Sequence, residues 1–453
     1  MFKINEIIQA TNGALIQGSP VDSFTGISTD SRKLKPKEAF LALRGKNFDG
    51  HDFIATTVKL KTKCLIVEKY PQALIPKTVA VIKVKDTTIA LGDIARFQRQ
   101  KINLPVIAVT GSNGKTTTKE MVAWVLSSNA QVLKNEGTKN NQIGLPQTLI
   151  QLTKKHNFAV VEIGTNHFGE VGYLANIAEP NIGIITNIGP SHLEFLRDLK
   201  GVAKEKITLL DNLAMPAIAL VNSDDKFLRG LIKHKIKGRR LLSYGFNEKS
   251  DFFASCVNIK KGKVEFKVNA KFDFELSTLG SYNIYNALGA IAVGRILGLS
   301  YPDLRARLAA FKFPKGRLNF VEFKGLKFID DTYNSNPLSL KAALASLSAM
   351  DCQGRKILIM GDMLELGKQK ELLHRQIAWS ITNTCDLLIT VGNLSRITAV
   401  AARSNGFEAK DVFCCANVRQ ARDLLFKKIS AQPEDLILVK GSRSMKMEEV
   451  LGT

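Results

Sequence analysis

Residues 105–121 read PVIAVTGSNGKTTTKEM, a stretch compatible with few folds. PVIAVTG is an apolar run ending in glycine, which suits a buried parallel strand. KTTTKEMVAWVL then opens a helical pattern. Between them lies a glycine-rich turn closed by Gly114-Lys115-Thr116. Strand, turn and helix in this order make a phosphate-binding loop. Backbone N–H groups at the helix N-terminus face phosphate oxygens, the lysine adds charge at the β/γ end, and the hydroxyl serves Mg²⁺. The strict Walker pattern has a glycine five residues before Gly114, where this chain has Val109, so the loop is shorter and starts at Gly111. Gly111, Ser112, Asn113, Gly114, Lys115, Thr116 and Thr117 are its candidate nucleotide contacts. Such a loop implies a bound nucleoside triphosphate and leaves the reaction unnamed.

The rest of the chain supports an α/β protein in three parts. Residues 1–85 hold short alternating apolar segments and turns. VKDTTIALGDIARFQRQ follows as a helix with Asp86 as N-cap. Residues 86–313 alternate strands (FAVVEIG, IGIITNIG, AIALVNSDD) with helices, the pattern of a parallel sheet with ligands at the strand C-termini. Within it, 251–277 alternates with period two and predicts an antiparallel insert. FKFPKGR (311–317) has linker punctuation. Residues 314–453 repeat the strand–helix alternation as a second, Rossmann-like unit.

At 453 residues, several domains are expected. The N-terminus lacks a signal-peptide pattern and no apolar run approaches about 18 residues, so no membrane insertion is expected. Six cysteines without CxxC spacing fit a reduced, cytoplasmic protein. The net charge of +23 admits nucleic acid, an anionic membrane surface or polyanionic substrates as partners. Lysines are spread along the chain, with short clusters at 33–37 and 233–240. There is no basic tail and no aromatic interleaving, so a solvated basic surface is the plainest reading, with no nucleic-acid partner.

Other candidate residues sit where a phosphate site needs them. Glu162 ends the strand FAVVEIG, a good position for a Mg²⁺ ligand. His192 follows IGIITNIG, and structural and functional roles stand side by side for it. Lys206, read alone, belongs to a solvated helix face. Asn283 and Asn286 share one face at a helix start and suit adenine or a phosphate, with capping as the alternative for Asn283. Arg317 lies at a domain junction from which a guanidinium can reach a triphosphate. FIDDTYNSNP (328–337), GDMLELG (361–367) and KGSRSMKMEE (440–449) put polar loops at three strand ends of the last unit.

VTGSNGKTTTKEM, EGTKNNQIGLP, VVEIGTNHFGEVGYLA, TNIGPSHLEFL, GSYNIYNALGA and DDTYNSNP follow in order, after an opening STDSR…FLALRG…FDGHDF. Over essentially the whole chain this set resembles the Mur ligases, ATP-dependent amide-forming enzymes of peptidoglycan precursor synthesis. The resemblance implies a UDP-binding domain, an ATPase domain and a Rossmann-like C-terminal domain. GSNGKTTTKEM, DDTYNSNP and GDMLELG are most similar to the member that joins D-alanyl-D-alanine to UDP-N-acetylmuramoyl-tripeptide. The DNPR-type motif of the meso-diaminopimelate-adding members is absent, and the third residue of the tripeptide, diaminopimelate or lysine, stays open. The opening segment argues against a folate ligase.

The resemblance also implies roles. Lys115, Glu162, His192 and Lys206 would be catalytic. Thr116, Glu162, His192 and Lys206 would hold Mg²⁺ (two ions), with Lys206 carbamylated. Lys206 is chosen over Lys204 because Leu210, four residues on, keeps the family pattern. Asn283, Asn286, Arg317 and Asp331 would contact ATP. Asn140, Asn141, Asn334 and Asn336 would contact substrate, the last two at the incoming dipeptide. Ser31, Arg32, Gly45, Asp49, Gly50 and His51 match motifs of the uridine-nucleotide domain. The expected mechanism phosphorylates the tripeptide carboxylate and then lets the dipeptide amine attack, in a monomer whose C-terminal domain closes over the site.

Overall fold

The computed structural model describes every residue except 46, 234–237, 261 and 453. Half of the basic stretch 233–240, residues 234–237, therefore lies outside the described residues. Among those described, three large sheets carry the fold, beside a short pairing of Phe2–Lys3 with Ser23–Phe24.

The first sheet has five strands from residues 14–83. Ala80–Lys83, Cys64–Val67, Ala39–Leu41 and Ile27–Ser28 run parallel, and Ala14–Gln17 closes one edge antiparallel. The helix Thr87–Ile102 follows, and the Asp86 carboxylate accepts the Ile89 N–H at 2.8 Å, as the sequence predicts. This helix packs against Ile4–Thr11 on one side and against the helices Gly144–Leu149 and Glu170–Ala178 on the other. It thereby joins the first unit to the second.

The second sheet has nine strands. Its parallel part runs across as Val132–Lys134, Phe158–Glu162, Val106–Thr110, Ile182–Ile185, Ala217–Asn222 and Arg239–Gly245. Continuous apolar runs are what a strand covered on both faces requires, and Val106–Thr110 and Ile182–Ile185 are buried throughout. The expected antiparallel insert is present as Phe252–Lys260, Lys263–Val268 and Phe272–Leu276. Register sets Glu162 beside Val109 and Ile185 beside Thr110, so three strands deliver their C-terminal ends to the phosphate loop.

The third sheet has six strands. Leu326–Asp331, Leu436–Lys440, Lys356–Gly361, Leu387–Val391 and Val412–Cys415 are parallel, with Asn319–Phe323 antiparallel at the edge. Asp331 and Met360 both pair with Lys440. The loops 332–336, 362–367 and 441–444 therefore leave one edge of the sheet together. The six cysteines are free thiols, and no helix among the described residues is long and apolar enough to cross a membrane.

Candidate active site

The phosphate loop takes the backbone its glycines allow. Gly111 has φ +146° and Gly114 φ +81°, both strained for any L side chain. A Cβ on Gly111 would lie 1.9 Å from Thr186 Oγ1, and one on Gly114 would lie 2.4 Å from Asn286 Oδ1. The helix Lys115–Leu126 starts directly after. Lys115 Nζ donates to Gly111 O (2.9 Å) and Ser112 O (3.2 Å). Burial holds its ammonium below the usual lysine range, and Arg317 adds to this against the pull of Glu162.

Thr116 links three parts of the chain. Its hydroxyl donates to Glu162 Oε2 at 2.8 Å and accepts from Arg317 Nη2 at 3.2 Å. The Arg317 guanidinium also stacks 3.6 Å over the Tyr333 ring. Asn140 Nδ2 donates to Glu162 Oε1 at 2.7 Å, so both carboxylate oxygens are engaged. A hydroxyl and a carboxylate at a helix N-terminus form a hard-oxygen donor set, which suits Mg²⁺. Among the described residues no group of three or more His, Cys, Asp or Glu converges as a metal cluster.

His192 and Lys206 differ in their surroundings. His192 has a left-handed backbone (φ +53°), and its Nδ1 lies 2.6 Å from Glu365 Oε2 on the third sheet's GDMLELG loop. That hydrogen bond, foremost, holds the Glu365 carboxyl below its ordinary range. Lys206 is 1% exposed, whereas Lys204 points to solvent. Burial, reinforced by Lys115, pushes the Lys206 amine well below the usual range despite Glu205 and Glu162. The solvated helix face suggested by the sequence around Lys206 is thus corrected: that face packs inward. Its neighbour Glu205 accepts the N–H groups of Gly169 and Val171, each at 2.8 Å, at the start of the helix Glu170–Ala178.

Asn283 and Asn286 are both buried. Asn286 accepts from Thr118 Oγ1 at 3.1 Å and faces the cleft. Asn283 sits behind it, bridging Thr278 and Asn286 at 2.8 Å each, and does not line the cleft. Tyr282, not Asn283, occupies the helix N-cap position.

The cleft, of about 1260 Å³, is lined by the phosphate loop, Glu162, His192 and the EGTKNNQIGLP loop on one side. The three loops of the third sheet face them. Asn336 bridges the two walls: its Nδ2 donates to Asn113 Oδ1 at 2.8 Å, and Asn113 Nδ2 returns a bond to Asn336 Oδ1 at 3.3 Å. The same Asn336 side chain caps the helix Pro337–Ser348 through the Ser339 N–H. Asn336 is thus committed to the loop and the cap, while Asn334 is open to the cleft. Asn141 accepts the N–H groups of Ile143 and Gly144.

Asp331 is buried in an ion pair with Lys440 Nζ at 2.5 Å, and Lys440 also donates to Asn334 O at 2.9 Å. Burial opposes both charges, raising the Asp331 carboxyl and lowering the Lys440 ammonium. Lys440 and Glu365 were not singled out from the sequence. Their signal is in the polar segments at the strand ends: Lys440 closes the strand Leu436–Lys440, and Glu365 lies in the GDMLELG loop.

The N-terminal candidates lie apart, and none lines this cleft. Arg32 is chelated by Asp30 through two 2.9 Å bonds. Asp49 accepts the His51 N–H (3.0 Å) and pairs with His51 Nδ1 (2.6 Å), while His51 Nε2 accepts the Glu68 N–H. Both imidazole nitrogens are therefore occupied. Gly50 is required by packing, because a Cβ there would lie 2.8 Å from Leu43 N. Ser31 and Gly45 are accessible nearby, and Gln147 in the helix after Asn141 donates to Thr29 Oγ1 at 2.6 Å.

Family models match three consecutive stretches: the Mur ligase family catalytic domain over residues 23–99, the Mur ligase middle domain over 109–294, and the Mur ligase glutamate ligase domain over 316–443. This chain belongs to the Mur ligase family. Among Mur ligases it is 34% identical over 431 residues to the UDP-N-acetylmuramoyl-tripeptide–D-alanyl-D-alanine ligase of Bacillus subtilis (94% of this chain, 92% of that one). The enzyme of the same name from Escherichia coli is 33% identical over 454 residues (99% and 97%). A crystal structure of MurF from Acinetobacter baumannii superposes with a TM-score of 0.91 at 32% identity (100% and 98% covered). MurF ligase of Thermotoga maritima in complex with ADP gives 0.83 at 25% identity (94% and 96%).

Proposed function

We propose that this Mur ligase joins D-alanyl-D-alanine to UDP-N-acetylmuramoyl-tripeptide with hydrolysis of ATP to ADP and phosphate. The observation carrying this reading is the meeting of Thr116, Glu162 and Arg317 at the phosphate loop, under the loops of a second α/β sheet. A carboxylate does not accept an amine directly, because oxide is a poor leaving group. Transfer of the γ-phosphoryl group to the tripeptide carboxylate makes phosphate the leaving group instead.

The loop amides and Lys115 hold the triphosphate and offset repulsion between the two reacting anions. Arg317, already on the Thr116 hydroxyl, adds charge as phosphoryl transfer proceeds. Thr116 and Glu162 would hold Mg²⁺, with His192 and Lys206 as candidates for a second ion. Bound there, Mg²⁺ would neutralise phosphate charge. As an ammonium Lys206 cannot ligate a cation, and as a carbamate it would offer Mg²⁺ the hard oxygens that Mg²⁺ prefers. Its desolvation favours the neutral amine, the form that adds CO₂ to become a carbamate. The third-sheet loops exclude water from the acyl phosphate, and Asn334 faces the incoming dipeptide. Ser31, Arg32 and Gly45 would meet the uridine nucleotide on the turn that Asp49, Gly50 and His51 build.

Phosphate release from ATP measured with each substrate omitted in turn tests this. Release is expected only when the UDP-muramoyl-tripeptide and D-alanyl-D-alanine are both present. Release driven by a folate or by nucleic acid would refute the assignment.

A further inference from the structure

Four lysines and arginines line the cleft, and three are committed. Lys115 is bound within the phosphate loop, Arg317 is on Thr116 and Tyr333, and Lys440 is in its buried pair with Asp331. Arg443 is different. Its side chain is 59% exposed, and it pairs with Glu448 Oε1 through Nη1 at 2.8 Å. Arg443 lines the cleft, and among the described residues its Nε and Nη2, the edge that grips a carboxylate with two parallel bonds, make no hydrogen bond.

The platform under Arg443 is rigid. Ser442 N donates to Asp362 O at 3.1 Å, and Ser442 Oγ accepts the Leu364 N–H at 2.8 Å. Gly441 lies against Gly361, where a Cβ on Gly441 would come within 3.1 Å of Gly361 Cα. Two residues before Ser442, Lys440 fixes the Asn334 carbonyl. Asn334 and Arg443 are thus carried on one edge of one sheet.

We propose that Arg443 recognises the terminal carboxylate of the incoming dipeptide, an inference that rests on the ligase reading above. The dipeptide brings one reactive amine and, at its other end, one carboxylate. That anion must enter a cleft already charged with phosphate, so it needs a cation of its own. An extended dipeptide separates the two ends by about 7 Å. With the amine directed at the phosphate loop, its carboxylate falls toward the third sheet, where Arg443, paired with Glu448 through Nη1 alone, keeps a second donor edge. This makes Arg443 a specificity residue, since it distinguishes a dipeptide acid from a neutral amine.

The test compares D-alanyl-D-alanine with its carboxamide on the wild type, Arg443→Met and Arg443→Lys, by phosphate release. The wild type should favour the acid by about 100-fold in kcat/KM. Arg443→Met should raise KM for the acid about 10- to 100-fold and leave the carboxamide nearly unaffected, so the preference collapses. Arg443→Lys should recover part of it. KM for ATP and for the UDP-tripeptide should move less than about twofold. Equal losses on acid and carboxamide, or a loss confined to the UDP-tripeptide, would overturn the proposal. If wild type releases no phosphate with both substrates present, the ligase reading itself fails, and that result is distinct from any effect of Arg443.

Discussion

In the central and C-terminal units, motif side chains reach partners far along the chain: Thr116 to Glu162 over 46 residues, Arg317 to Thr116 over 201, and Asn336 to Asn113 over 223. In the N-terminal unit the motif carboxylates reach two residues, Asp30 to Arg32 and Asp49 to His51, and the longer contacts there, His51 to Glu68 over 17 and Thr29 to Gln147 over 118, stay outside the cleft. Short-range polar pairs shape a turn at little cost in chain entropy. Long-range ones form only as the second sheet assembles and the third docks on it, and they draw distant segments together around one cleft. Motifs that look equally informative as letters therefore divide into builders of turns and builders of a reaction site.

Four substitutions test that division. Lys115→Met should lower ATP-dependent phosphate release about 1000-fold. Its melting temperature should not fall, because the variant removes a half-buried, desolvated ammonium; unfolding instead of simple inactivation would blur the contrast. Asn336→Asp keeps a good N-cap but replaces the amide donor facing Asn113. Thermal stability should hold while kcat/KM for ATP falls about tenfold. Arg32→Ala, at an 86% exposed side chain, should change stability by no more than about 0.5 kcal/mol and raise KM for the UDP substrate about fivefold. An unchanged KM would move Arg32 among the turn builders.

Asp49→Asn is the smallest and the most diagnostic. The His51 backbone N–H, foremost, holds the Asp49 carboxyl below its ordinary range. A depressed carboxyl contributes stability above its unfolded value and loses it as pH falls through the folded value. The variant should be about 1 kcal/mol less stable at pH 7, a figure kept small by solvent screening. The gap should close below about pH 4. Urea midpoints at the two pH values measure it, and KM for the UDP substrate should hardly move.

The strand–loop–helix core was legible because parallel strands buried on both faces are written as continuous apolar runs, and because GSNGKTTT needs glycine at two backbone positions. The antiparallel insert was legible from its period of two. Lys206 was not, because a lone lysine on a helix does not reveal that its face packs inward. Asn336 was legible as part of a polar strand-end loop, but its direction was not. Only the docking of two sheets decides that it turns to Asn113. His51 shows the opposite limit: Glu68, its second partner, is seventeen residues away and carries no motif.

The shared amide of Asn336 has a thermodynamic consequence. One oxygen caps a helix on one sheet while the same group grips the phosphate loop of another. Fraying of that helix turn and loosening of the loop are then a single reciprocal equilibrium. Nucleotide bound at the loop should slow hydrogen exchange at the Ser339 amide, which is tied to the loop through Asn336. In exchange data, the first turn of Pro337–Ser348 becomes a remote gauge of phosphate occupancy.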